Sequence, residues 1–114
     1  MPGYLEPNQG DDGMDKDQIV DIAKNYANLV ASHFQVKKIV LFGSQAKGNQ
    51  NVESDIDIAV IVDRIDNDFL DTEAKLYRLR REVDLRIEPI LLEEFKDTSG
   101  FIEQIMNEGQ VILG

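Results

Sequence analysis

The chain has 114 residues, the length of one small domain, so a single core must carry whatever it does. Hydrophobic residues at 42% and charged residues at 30% exclude a disordered or membrane-embedded chain. With 12 Lys plus Arg against 22 Asp plus Glu the formal charge is -10, which repels phosphate backbones and excludes free DNA or RNA as the expected main ligand.

Residues 1–14 hold two of the three prolines, three of the eight glycines, three acids and no base, without a hydrophobic period. They read as a disordered tail or leader ahead of a domain spanning 15–114. From Asp15, apolar residues recur at helical spacing: Ile19, Ala23, Tyr26 and Val30, widened by Ile22 and Leu29. Asp15 with Gln18 resembles a capping box, and the helix is predicted to end near His33. Lys38 to Phe42 (KIVLF) is a β-branched and aromatic run that reads as a strand buried on both faces and stops at Gly43.

A turn-rich stretch from Gly48 to Ser54 precedes Asp55 to Val62 (DIDIAVIV), a strand whose first residues emerge at the edge of the core. A second helix is expected near Asp71 to Glu82, with Ala74, Tyr77 or Leu76, and Leu79 inward. Its Lys75, Arg78, Arg80 and Arg81 form the one basic region, read as a solvated face or a docking patch. Val83 to Glu88 (VDLRIE) alternates strictly, placing Asp84, Arg86 and Glu88 on one strand face, and Pro89 marks the end of that ladder. A last helix from about Ser99 to Asn107, a cap at Gly109 and a closing VIL strand complete an α/β (α+β) unit. A mixed sheet of about four strands packed against helices is the expected architecture.

The absence of cysteine excludes disulfides, thiolate metal sites and thiol nucleophiles. The apolar runs are too short to span a bilayer and no charged-then-apolar signal segment opens the chain, so a cytoplasmic protein without membrane contact is expected. The only histidine, His33, reads as a helix-terminal surface residue.

The chemistry is concentrated between Gly43 and Asp57 (GSQAKGNQNVESDID). Asp55 and Asp57 are two apart on a strand, so both carboxylates leave one face. Such a pair either decorates a solvent-facing strand start or holds a hard cation, Mg²⁺ or Mn²⁺, that completes its shell with substrate phosphates. Gly43 and Ser44 follow a strand directly; they are either a simple turn or a phosphate cradle of backbone N–H groups and a hydroxyl.

Ten residues separate Ser44 from Asp55, giving GS-x10-DxD. That pattern, with FGSQAKG followed by SDIDIAV, resembles the polymerase-beta-like nucleotidyltransferase superfamily and within it the minimal MNT-type members. The weaker match RREVDLRIEP extends the resemblance to Pro89. It implies the small nucleotidyltransferase fold and transfer of a nucleoside monophosphate from ATP to a hydroxyl, with two Mg²⁺ (or Mn²⁺) ions and three carboxylates. By position, Asp55 and Asp57 would hold both metals, and Gly43 with Ser44 would bind the β- and γ-phosphates. Lys47 stands where these relatives commonly carry arginine; it would reach the triphosphate or is an ordinary exposed lysine. Asp84 resembles the third, catalytic carboxylate, although Glu88 on the same predicted face can serve instead; the bland alternative for both is an exposed strand face paired with Arg86.

Larger relatives carry a further domain that grips the acceptor. A chain of this length is expected to take its acceptor surface from another chain. The resemblance implies a helical HEPN-domain partner, often an RNase toxin, with this chain as the antitoxin that adenylylates it. A non-catalytic module of the same fold, neutralising its partner by contact alone, is the alternative.

Overall fold

The computed structural model describes residues 16–43, 55–65 and 68–114. The tail or leader expected at 1–14, the domain start at 15 and the turn-rich stretch from Gly48 to Ser54 lie outside the described residues. The elements run α1 (Lys16–His33), β1 (Lys38–Phe42), β2 (Ile56–Val62), α2 (Phe69–Leu79), β3 (Ile87–Glu93), α3 (Phe101–Glu108) and β4 (Gln110–Leu113). Their order is the one the hydrophobic pattern predicts. The four strands form a mixed sheet in the order β3-β2-β1-β4, with β1 antiparallel to β2 and β4 and β2 parallel to β3.

The two central strands are apolar apart from Lys38 and Asp57 near their ends because both their faces are covered. On one face Ile39, Leu41, Ile56, Ile58 and Val60 pack against Ile19, Ala23, Tyr26 and Val30 of α1 and Leu76 of α2. On the other, Val40, Ala59 and Ile61 meet Ile102 and Ile105 of α3. Each fully buried Ile or Leu contributes about 1.5–3 kcal/mol. Tyr26 is wholly buried, and its hydroxyl donates to the Leu76 carbonyl at 2.7 Å, tying α1 to α2. Burial also pushes the Tyr26 hydroxyl pKa up, so it stays a neutral donor.

α2 starts before the expected Asp71, because the Asp68 carboxylate caps it by accepting from the backbone N–H groups of Leu70 and Asp71 at 2.9 and 3.4 Å. Of the residues expected to face inward, Leu76 is buried, whereas Ala74 and Tyr77 lie on the exposed side.

β3 departs most from expectation. The strand predicted from Val83 begins only at Ile87, because the chain leaves α2 through a 3₁₀ turn at Arg80–Glu82 and the Asp84 N–H returns to the Arg80 carbonyl at 2.8 Å. Pro89 does not end the ladder; it sits inside β3 opposite Ile58. β3 is an outermost strand, and the Ile56 N–H donates to the Arg86 carbonyl at 2.8 Å, so Arg86, Glu88 and Ile90 turn their backbone polar groups toward β2. The Pro89 nitrogen therefore points off the open edge, where a missing N–H costs no ladder bond.

At the other end, Gly109 leads α3 into β4, and a Cβ there would run into the Leu41 carbonyl and the Val40 side chain. Among the described residues, no helix is long and apolar enough to cross a membrane.

Candidate active site

One cross-strand row at the end of the sheet brings candidate residues of the motif together. Asp57 is paired with Phe42 of β1 on one side and with Glu88 of β3 on the other. By the two-residue period of β2, the Asp57 side chain leaves on the same face as Ala59 and Ile61, the face that α3 covers further along. Asp55, directly before β2, is exposed, and Asp57 is half-buried. The Asp57 carboxyl is held above the usual aspartate range, first by burial, then by the charges of Asp55 and Glu88.

Gly43 closes β1 with φ 79, and a Cβ at this position would collide with the Asp57 carboxylate oxygen Oδ2. Only glycine lets the chain turn here while the carboxylate stays in place. The structure therefore brings Gly43, Asp55 and Asp57 together, as the motif implies. Ser44 and Lys47 lie outside the described residues.

Asp84 is placed differently. It lies in the turn before β3, where Arg86 engages it through its backbone N–H at 2.8 Å, its Nε at 3.0 Å and its Nη2 at 2.6 Å. The Arg86 hydrogen bond holds the Asp84 carboxyl below the usual aspartate range, against an opposing push from burial. A depressed acid stabilises the fold above its unfolded pKa, and that contribution disappears as pH falls through the lower folded value. Asp84→Asn should therefore melt below wild type at pH 7, by about 1 kcal/mol or less for a partly exposed pair, and the gap should close below about pH 3.9. Thermal melts of both proteins from pH 7 to pH 3 check this.

Glu88, the alternative to Asp84, lies within β3 itself. Its register partner is Asp57, and its Oε2 accepts from the Tyr77 hydroxyl at 3.3 Å and lies 3.9 Å from Arg80 Nη1. Tyr77 and Arg80 were not foreseen at the site. Tyr77 in the last turn of α2 and Arg80, the residue that follows the helix, are three apart, a signal that acquires meaning only once α2 is known to lie beside β3.

Asp55, Asp57 and Glu88 offer hard oxygen donors at one rim, and the missing Cβ of Gly43 leaves the Asp57 carboxylate its room, so these residues suit Mg²⁺ or Mn²⁺ with phosphate oxygens. Among the described residues, no three carboxylates or histidines are already drawn close enough to ring an ion. Of the basic residues in and just after α2, Lys75 pairs with Asp71 at 3.5 Å and Arg80 is engaged beside Glu88.

Residues 16–114 match the family described as Polymerase beta, Nucleotidyltransferase. The chain belongs to this nucleotidyltransferase family. Two proposed protein adenylyltransferases of Methanocaldococcus jannaschii are similar to it. One is 28% identical over 98 residues, spanning 81% of this chain and 96% of the relative; the other is 33% identical over 93 residues, spanning 78% and 92%. Among solved structures, a proposed nucleotidyltransferase from Sulfolobus solfataricus shares the nucleotidyltransferase fold at a TM-score of 0.61 and 23% identity, over 84% of this chain and 80% of that one. A mutant toxin–antitoxin complex, MntA–HpeT, shares it at a TM-score of 0.53 and 20% identity, over 89% and 74%.

Proposed function

We propose that this nucleotidyltransferase is a Mg²⁺-dependent, cytoplasmic enzyme that moves AMP from ATP to a hydroxyl of a partner protein, and that the partner is a helical HEPN-domain toxin which it restrains. The observation that carries the reading is the row in which Gly43 gives up its side chain to the Asp57 carboxylate while Glu88 flanks that carboxylate from the next strand. The adenylyltransferase names of the relatives and the toxin–antitoxin assembly among the fold neighbours support the choice of acceptor class.

Asp55 and Asp57 would hold two divalent ions, Mg²⁺ or Mn²⁺, which supply charge neutralisation at the triphosphate and polarise the α-phosphate. Gly43 and Ser44 would bind the β- and γ-phosphates, and Lys47 would reach the same group. The acceptor oxygen forms a bond to the α-phosphorus, the bond to the bridging oxygen breaks, and pyrophosphate leaves. In this scheme Glu88, rather than Asp84, is the third carboxylate and takes the acceptor proton, because Arg86 occupies Asp84 whereas Glu88 adjoins Asp57. Positioning and charge stabilisation then account for most of the catalysis.

Incubation of the chain and its co-expressed partner with α-labelled ATP and Mg²⁺ tests the reading. Label and an added nucleoside monophosphate on the partner, both lost with Asp55→Ala, are expected. A partner that is unmodified yet still silenced by Asp55→Ala would replace catalysis with the binding-module reading. Ser44→Ala removes one hydroxyl from a site that also uses backbone N–H groups, so ATP should bind about 1–2 kcal/mol more weakly, as calorimetric titration would show. Equal affinity removes Ser44 from the site.

A further inference from the structure

The side chain of Glu88 is reached from α2, which packs on the other face of the sheet through Leu76. Arg80 runs along the open edge of β3: its Nη1 donates to the outward-facing Ile87 carbonyl at 2.9 Å, and its guanidinium lies 5.0 Å from the centre of the Tyr77 ring. Stacked on that charge, Tyr77 presents its hydroxyl to Glu88 Oε2 at 3.3 Å, the same oxygen that Arg80 approaches to 3.9 Å. Arg80 lies along the outer edge of β3, whereas Asp57 lies on β2 at its inner side. Glu88 thus stands between two claims, one from α2 and one from a cation beside Asp57.

We propose that Tyr77 and Arg80 are positioning residues for Glu88, holding its carboxylate at the outer edge so that bringing it to a metal at Asp57 requires breaking the Tyr77 hydrogen bond. The inference rests on the reading of Glu88 as the third carboxylate. Its consequence is that Tyr77 and Arg80 set how tightly the site takes its metal.

The test is Mn²⁺ binding to the full chain, followed by electron paramagnetic resonance without nucleotide. Tyr77 is 39% exposed, so Tyr77→Phe removes a hydroxyl without opening the core. Tyr77→Phe should tighten Mn²⁺ about threefold, the scale of one partly exposed hydrogen bond. Glu88→Gln should weaken Mn²⁺ about tenfold, and adding Tyr77→Phe to it should change nothing further. Arg80→Met should tighten Mn²⁺ more in the presence of Glu88 than in the Glu88→Gln background, which separates positioning from the general loss of a positive charge. If Glu88→Gln leaves Mn²⁺ affinity unchanged, the assignment of the third carboxylate fails and the inference with it. If Glu88→Gln weakens binding but Tyr77→Phe leaves it unchanged or weaker, the positioning role alone is overturned.

Discussion

Asp57→Asn should cripple nucleotidyl transfer and yield a protein slightly more stable than wild type when no ligand is present. Asp57 is half-buried, and its carboxyl is held above its ordinary range by burial, by Asp55 and by Glu88. An acid whose folded pKa exceeds its unfolded one costs stability as pH rises from the unfolded value, about 3.9, through the folded one, and the cost is fully present at neutral pH. The neutral amide removes it. Solvent screening keeps the gain small, so the melting temperature should rise by about 2 °C at pH 7, with no rise below about pH 3.9. Activity should fall about 10³-fold or more, the scale of losing a group that organises transition-state charge. Wild type in Mg²⁺ and ATP at about 100 times the dissociation constant should gain about 2.7 kcal/mol, and Asp57→Asn should gain almost none. Full stabilisation of the variant by Mg²⁺ and ATP would show that the metal is held elsewhere.

The legible parts of this chain are those in which local pattern and tertiary environment agree. KIVLF and IDIAVIV are apolar apart from Lys38 and Asp57 because helices cover both sheet faces, and the stripe Ile19, Ala23, Tyr26, Val30 is the buried side of α1. Gly43, Asp55 and Asp57 were readable because a fixed spacing joins two adjacent strands, and the register of Phe42 with Asp57 turns that spacing into proximity. VDLRIE misleads because period-two alternation also suits a turn when side chains capture the backbone: Asp84 accepts from the Arg86 N–H, and the Arg80 carbonyl takes the N–H groups of Val83 and Asp84. Pro89 misleads for a different reason, since its effect depends on which edge of the sheet β3 occupies. The contact of Tyr77 and Arg80 with Glu88 is the least legible, because it joins the end of α2 and the turn after it to a neighbouring strand through tertiary placement alone.

Gly43→Ala should damage both fold and site, through two separable causes. The backbone at Gly43 has φ 79, where an L-residue with a Cβ costs about 1–2 kcal/mol. The new methyl would also run into Asp57 Oδ2, so either the carboxylate leaves its position or the end of β1 shifts away from β2. Either response spoils the geometry that a metal and the phosphates need, and transfer activity should fall about 10²-fold or more. Chemical denaturation can apportion the two costs. In an Asp57→Ala background the obstructing carboxylate is gone, so Gly43→Ala should cost only the backbone share of about 1–2 kcal/mol. In the wild-type background it should cost at least about 1 kcal/mol more, the lower end of what overpacking a well-filled site costs. Additive effects of the two substitutions would mean that Gly43 serves the turn alone; a clear excess in the presence of Asp57 would mean that glycine is required because the carboxylate occupies the space a side chain would take.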